Sequence, residues 1–322
     1  MARMYLLDNV INNATGQVEG FAIIKNANVK TNSKGSAYVD MTLVDSGGDI
    51  NAKLWDYNPE IHGEYSADMI VKVRGTITLW NDYEQLRIDK IRKYNPEKDT
   101  LDMSKLVPCA PYDPEFMYDE LIKCAEGFYD KELSRLVIHM LESKKDKLLV
   151  YPAALKLHHA QRGGLLYHTF SMLNMAKSVC KHYPALDSDL VFAGIMLHDL
   201  SKMVELTVGE IGLASNYSAE GQLLGHINMG VAEIALAANE LGISDELRML
   251  IQHIVLSHHS TPEFGSPRPP MFPEAEVVAT LDMLDARLYE MFDALEGIQN
   301  GSFTDRLWAL DNRMLYKHGH NE

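Results

Sequence analysis

Five stretches near the start of the chain tend to alternate apolar and polar residues: GFAIIKNANV, AYVDMTLV, INAKLWDY, MIVKVRGTITLW and YEQLRIDKI. That period of two is what a strand with one buried face requires. The breaks between them carry turn-formers, TNSKGS, DSGGD and NDY, and NPEIHGEYSAD between the third and fourth predicts a short helix or a loop. Residues 94–115 then hold four prolines and little apolar periodicity, the pattern of a linker. Beyond them the period changes to that of helices, in FMYDELIKCAEGFYD, in KELSRLVIHMLESKKDKLLVYP and in further apolar stripes towards the end. Only SPRPPMFPE, 266–274, is too proline-rich for helix or strand.

Three strands, a short helix and two strands predict a small closed barrel of the OB type, with a β-domain of another topology as the alternative. The expected fold class is therefore multidomain. An all-β OB-type barrel covers 1–95 as a nucleic-acid-binding domain, a linker covers 96–114, and an all-α domain covers 115–322. A length of 322 residues suits two cores better than one. The apolar, Met-containing ATLDMLDARLYEMFDALEGI reads as core rather than as an assembly surface, and the pattern leaves open whether copies of the chain associate.

Composition changes the picture little: 46% hydrophobic and 23% charged is ordinary for a globular protein. No apolar run approaches the ~20 residues that span a bilayer, so no membrane partner is expected. MARMYLLDNVINN lacks the basic and apolar regions of a signal peptide. Cys109, Cys124 and Cys180 are scattered and form no CxxC pair, which points to a cytoplasmic location and away from a zinc–thiolate site. Charge is more informative. The net value is −15, but residues 1–95 hold 11 basic and 12 acidic side chains, so the remainder carries −14. Nucleic acid is thus not excluded from the barrel, and the acidic remainder tolerates cations. No P-loop and no Rossmann glycine pattern occurs, which argues against NTP-driven chemistry and a dinucleotide cofactor.

Nine of the 13 histidines fall between 158 and 259: His158, His159, His168, His182, His198, His226, His253, His258 and His259. Imidazoles with carboxylates and almost no cysteine are donors for Mn, Fe, Ni, Co or Zn. In MLHDLSK, His198 and Asp199 follow an apolar run that reads as buried helix, where two such groups need compensation. Helical spacing puts Lys202 on their face, either holding a phosphate oxygen or paired with Asp199 or Glu205. ATLDMLDAR supplies Asp282 and Asp285, three apart. His253 reads as structural.

The order His168, His198-Asp199, Asp282 resembles the H…HD…D signature of the HD-domain metal-dependent phosphohydrolases, an all-helical fold. HHAQRGGLLYHT, HDLSK, EGQLLGHI, LSHH followed by GSP, and the Asp282 segment resemble, more narrowly, the YhaM family of bacterial 3′-5′ exoribonucleases, which also carries an OB-type domain in front. The resemblance implies His168, His198, Asp199 and Asp282 as core metal ligands. It further implies a dinuclear site, with Asp199 bridging and His226, His258 and His259 completing the donors. The two divalent ions would be Mn²⁺ first, with Fe²⁺, Co²⁺, Ni²⁺, Zn²⁺ or Mg²⁺ as others, and hydrolysis would use metal-activated water. Asp199 and Lys202 are then the catalytic candidates, and His159 and Arg162 candidate substrate contacts.

In the barrel segment, aromatic residues interleave with Lys25, Lys30, Lys34, Lys53, Lys72, Arg74 and Arg87. Stacking platforms in a cationic groove hold single-stranded nucleic acid. Tyr38, Tyr57, Trp80 and Tyr83 are expected to be exposed, with Tyr38, Trp80 and Tyr83 as the substrate candidates, while Phe21 and Trp55 are assigned to the core. The expected function is a metal-dependent 3′-5′ exoribonuclease on single-stranded RNA, with DNA as a further substrate. The alternatives are a hydrolase of a small nucleotide, such as a cyclic dinucleotide, a (d)NTP or a nucleoside monophosphate, and a nucleic-acid-binding protein with a structural metal site.

Overall fold

A computed structural model describes residues 4–81 and 83–320. In chain order it has helix α1 (Tyr5–Asp8), strands β1 (Val10–Asn12), β2 (Gln17–Thr31), β3 (Ala37–Asp45) and β4 (Gly48–Leu54), helix α2 (Pro59–His62), and strands β5 (Ile70–Trp80) and β6 (Tyr83–Lys93). Helices α3 (Pro114–Glu126), α4 (Lys131–Glu142), α5 (Lys145–Leu148), α6 (Gly164–His182), α7 (Ser188–Leu197) and α8 (Lys202–Glu205) follow. A hairpin of β7 (Leu206–Val208) and β8 (Ala214–Tyr217) leads to α9 (Ala219–Leu241), α10 (Asp245–Ser257) and α11 (Pro273–Glu296), and β9 (Ser302–Phe303) and β10 (Tyr316–Lys317) end the chain. The fold divides into two compact units, one of the residues up to Cys109 together with Gly209–Ile211, the other of Ala110–Val208 and the residues from Gly212 on.

In the first unit β2, β3 and β4 form a meander, and β6 pairs in parallel with β4, setting Ala52 opposite Leu86. From β6 the ladder continues antiparallel to β5, and β5 returns to β2 with Gly20 opposite Val73. The order β2-β3-β4-β6-β5 and back to β2 closes five strands into an OB-type barrel. All five predicted strands take part, and NPEIHGEYSAD holds the short helix α2. Alternation decides the interior: Val39, Met41 and Leu43 come from β3, Ile50, Ala52 and Leu54 from β4, Val71 and Val73 from β5, and Leu86 and Ile88 from β6. The β2–β3 turn is shaped by Asn32, whose Oδ1 accepts from the backbone N–H of Lys34 at 2.9 Å and of Ser36 at 3.0 Å. Of the predicted NDY turn, Asp82 lies outside the described residues.

The helical unit is built around α7, whose residues from Leu190 to Leu197 are buried almost without interruption. Packed against it are α3, α4, α6, α10 and α11. Helix α4 shows the patterning that drives this: Leu133, Leu136, Val137, Met140 and Leu141 face inward while Lys131 and Arg135 are exposed. Asp130 caps it, its Oδ1 accepting from the N–H of Glu132 and of Leu133. Helix α11 corrects one expectation. It buries Ala275, Val278, Ala279, Leu281, Asp282 and Asp285, but Met283 and Phe292 are exposed, so it is core on one side only. The hairpins β7–β8 and β9–β10 escaped the pattern because strands of two to four residues hold too few positions to alternate. Truncating the fully buried Leu86 to Ala should destabilise the barrel by about 2–5 kcal/mol, read as an earlier urea midpoint in the fluorescence of Trp55 and Trp80.

Candidate functional site

His198 and Asp199 lie at the end of α7, not inside a helix: α7 stops at Leu197, and residues 198–201 form a turn before the single-turn helix α8. The stop is chemical. His198 Nδ1–H donates to the carbonyl of Ile195 at 2.8 Å, satisfying one of the acceptors a helix end leaves open. His258, at the C-cap of α10, repeats the device by donating from Nδ1 to the Val255 carbonyl at 2.7 Å. In both rings Nδ1 carries the proton and Nε2 is left as a lone-pair donor.

Two glycines place the other imidazoles. Helix α6 starts at Gly164, where a Cβ would stand 2.0 Å from the His159 carbonyl oxygen. Only glycine lets the preceding loop fold back onto the helix start, with His159 at φ 53° and His168 one turn in. Within α9, Gly225 adopts φ 70° and ψ 154°, a break that ends one helical segment and starts another at His226. The freed N–H of His226 is taken by Glu205 Oε1 at 3.0 Å, and the same carboxylate accepts from His226 Nδ1 at 3.0 and 3.1 Å.

These elements converge on Asp199, which is 2% exposed. Its Oδ2 lies 3.3 Å from His198 Nε2 and 3.9 Å from His168 Nε2, and His168 Nε2 is 3.2 Å from Asp282 Oδ1. Its Oδ1 turns the other way, 3.4 Å from His226 Nε2 and 3.6 Å from His258 Nε2. His259 Nε2 joins from 3.9 Å off Asp282 Oδ2. Two donor groups result, His168, His198 and Asp282 on one side, and Asp199, His226, His258 and His259 on the other. The Nε2 atoms of His168, His198, His226 and His258 and both oxygens of Asp199 are buried without a well-formed hydrogen bond among the described residues. Six buried polar atoms in that state cost free energy unless something binds them. Nitrogen and carboxylate donors without thiolate fit divalent Mn, Fe, Co, Ni or Zn.

Charge in the centre is strongly displaced. Burial works against ionisation of Asp199, but Lys202 and His198 outweigh it and hold its carboxyl far below the usual range. Burial likewise opposes the charge on Lys202 and is outweighed by Asp199, so the ammonium is retained. His168, wholly buried, is nonetheless pushed up to about 9 because Asp282 and Asp285 flank it. Burial drives His159 down to about 4 and His259 to about 3, so both stay neutral at physiological pH.

The predicted metal ligands His168, His198, Asp199, His226, His258, His259 and Asp282 all meet here. His259 converges with His258 because α10 has ended at Ser257, and neighbours in a turn need not diverge as they would on a helix. Lys202 Nζ is 2.7 Å from Asp199 Oδ2, the ion pair that was the alternative to a phosphate contact. His159 is 2% exposed and donates from Nε2 to Asp285 Oδ2 at 2.7 Å, so it faces the protein rather than an opening. Arg162 packs against Gly212, where a Cβ would stand 2.6 Å from its Nη1. His253 accepts from the Met271 N–H at 3.1 Å on the far side of α10, a structural role. Sequence reasoning named Asp285 without a role and Glu205 only as a partner for Lys202. Asp285 accepts from His159, from His168 Nδ1 at 2.8 Å and from Ser171 Oγ at 2.5 Å. Its place three residues after Asp282 was the available signal, and Glu205 had none beyond proximity to Lys202.

On the barrel, the aromatic residues outside the core lie in two places, one across β3 and the end of β4 and one at the β5–β6 turn. Tyr38 and Trp55 stack with ring centroids 4.6 Å apart, and Lys53 Nζ lies 5.7 and 5.6 Å from the two. At the β5–β6 turn Trp80 and Tyr83 are 65% and 78% exposed. The parallel register of Asn51 with Gln85 brings Tyr83 beside the start of β4, about 20 Å from Trp55 at 3.3 Å per residue. Between them lie Asn51, Lys53, Gln85 and Arg87. Trp55, assigned to the core from sequence, is 39% exposed: its alternation with Leu54 turns it outward. Phe21 is half-buried against Tyr94, and Tyr38 and Tyr57 are half-buried as well.

Residues 165–287 match the HD domain, a family of metal-dependent phosphohydrolases, and the match spans every residue of the two donor groups. Two solved structures resemble part of the chain at 18% identity. One is a chain of a replication protein A heterotrimer bound to ssDNA, with 27% of this chain and 60% of that one covered and a TM-score of 0.20. The other is the second OB-fold domain of replication protein A from Methanococcus maripaludis, with 27% and 88% covered and a TM-score of 0.21. Among the described residues no helix is long and apolar enough to cross a membrane.

The charged His168 gives a pH signature. Its folded value is raised from 6.5 to about 9, so its contribution to the metal-free fold is complete below pH 6.5 and lost as pH rises through 9. The loss is on the order of 3 kcal/mol, to be seen as a lower melting temperature of metal-stripped protein at pH 9.5 than at pH 6. A cation competes with the proton on Nε2, so Mn²⁺ affinity should climb over the same interval with proton release, measured by calorimetry in buffers of different ionisation enthalpy.

Proposed function

We propose, starting from an HD domain at residues 165–287, that this chain is a metal-dependent phosphodiesterase that removes nucleotides from the 3′ end of single-stranded RNA, in the manner of the YhaM family it resembles. The observation that carries the reading is Asp199, one buried carboxylate whose two oxygens face two separate sets of imidazoles. His168, His198 and Asp282 would hold one divalent cation and His226, His258 and His259 a second, with the carboxylate of Asp199 between the two groups. Mn²⁺ is the preferred ion, with Fe²⁺, Co²⁺, Ni²⁺, Zn²⁺ and Mg²⁺ as the others. Two such ions supply Lewis acidity towards a phosphodiester and the water that attacks it. Lys202 acts through Asp199, keeping that carboxylate ionised and in place. Helices α7 and α10, with Ile195 and Val255 as anchors, fix the rings of His198 and His258 with Nε2 towards Asp199.

The barrel adds length and order to the substrate. A single strand laid across β3, β4 and β6 can stack one base on Tyr38 and Trp55 and another on Trp80 and Tyr83, with Lys53 and Arg87 beside the backbone between. Each stacked base is worth about 1–3 kcal/mol. Cys124 and Cys180 as free thiols support a cytoplasmic setting. Hydrolysis of a small nucleotide is the second reading, favoured by the −14 carried beyond residue 95, which repels a long polyanion.

Substrate length separates the two. With Mn²⁺, the purified chain should shorten a 5′-labelled RNA oligomer stepwise from its 3′ end and leave a cyclic dinucleotide intact; the reverse pattern selects the second reading. Asp199→Ala should abolish both ion uptake and hydrolysis, and retained activity at normal metal content would remove Asp199 from the centre. Trp55→Ala and Trp80→Ala should each weaken RNA binding by about 5- to 100-fold while hydrolysis of a small diester is unchanged. Equal losses in both assays would mean a folding defect instead.

A further inference from the structure

The four imidazoles nearest Asp199 are held from behind in two different ways, and each donor group contains one of each. In the first group His198 is anchored by a helix carbonyl and His168 by the carboxylate of Asp285. In the second His258 is anchored by a helix carbonyl and His226 by the carboxylate of Glu205. Both carboxylates meet the ring at Nδ1, the nitrogen turned away from the centre, so neither is itself a donor to an ion held by the Nε2 atoms. Each is in turn fixed. Asp285 also accepts from His159 Nε2 and from Ser171 Oγ. Glu205 also accepts from the His226 N–H, where the break at Gly225 frees it.

We propose that Asp285 and Glu205 are positioning residues that set the affinities of the two ion sites independently, Asp285 through His168 and Glu205 through His226. The proposal rests on the reading of the centre as a two-ion site. A carboxylate on Nδ1–H locks the tautomer, aims the ring and makes Nε2 a stronger donor than a neutral carbonyl can. The two are not equivalent. Asp285 Oδ2 is shared between His159 at 2.7 Å and His168 at 2.8 Å, which divides its influence. Glu205 directs both oxygens, at 3.0 and 3.1 Å, onto His226 alone. Glu205 therefore exerts the larger effect on its site. His159, His168 and Asp285 also lie close enough to be counted as a third donor group, but at these separations they are bonded to one another.

Calorimetric titration of Mn²⁺ into the metal-stripped full chain tests this without any substrate. The wild type should bind in two resolvable events. Glu205→Gln should weaken one by about 10- to 100-fold, Asp285→Asn should weaken the other by a smaller factor, and each should leave the remaining event within about threefold. Ser171→Ala, which removes one donor to Asp285 and touches no ion ligand, should weaken only the Asp285-linked event, and by less than Asp285→Asn does. Melting of the metal-free variants supplies the control. A variant that lowers that midpoint and weakens both events together has a general packing role and overturns the proposal, as does wild-type affinity in both carboxylate variants. A wild type that takes up no Mn²⁺ would bring down the two-ion reading itself, whereas two wild-type events unaffected by the substitutions would bring down only the positioning role.

Discussion

One buried carboxylate stands at the middle of the polar cluster of the helical unit. Asp199 sits at 2% exposure, and a carboxylate withdrawn from water in this way must be met by positive charge or by donors from every side. No one helix can supply them. The response is convergence: the C-terminal turns of α7 and α10, the early turns of α6, the break in α9 and the inward stripe of α11 all end within a few ångströms of one side chain. The packing of α6, α10 and α11 on α7 is thus the mechanical requirement of the centre as much as a hydrophobic arrangement. Lys202 belongs to the same constraint, since it places a cation against Asp199 irrespective of what else is bound.

The barrel works under the opposite condition. Apart from Asp45 at the end of β3, its interior is apolar along β3, β4 and β5, and alternate residues face water. Leu54 turned inward obliges Trp55 to turn outward, next to Tyr38 on the neighbouring strand.

How much of this is legible in the sequence follows from the range of the interactions. Strand alternation and turn residues are local, so the five strands of the barrel could be read directly but not their pairing, such as the parallel β4–β6 contact, and helical stripes announced the second unit. The histidines and Asp282 were legible through spaced motifs. Asp285 and Glu205 were not, because what they do depends on which nitrogen of a distant ring they face, a property of His168 and His226 in three dimensions. Trp55 failed for a related reason: an aromatic residue after an apolar run looks like core, and only the register of β4 against β3 tells which way it points. His198 and Asp199 looked helical because nothing in MLHDLSK signals that a side chain will take over the carbonyl of Ile195 and end the helix.

The spread of the centre along the chain has a consequence for how the protein is made. His168 and Asp282 are 114 residues apart. At 5–20 residues per second, a ribosome completes the first roughly 6–23 s before the second. For most of that interval His198 and Asp199 are already synthesised while α11, with Asp282, is not. The barrel, whose strands end at Lys93, has no such delay and can close while the rest is still being translated. The last long helix therefore acts as the keystone of the cluster: its donor set is complete only once α11 has been made.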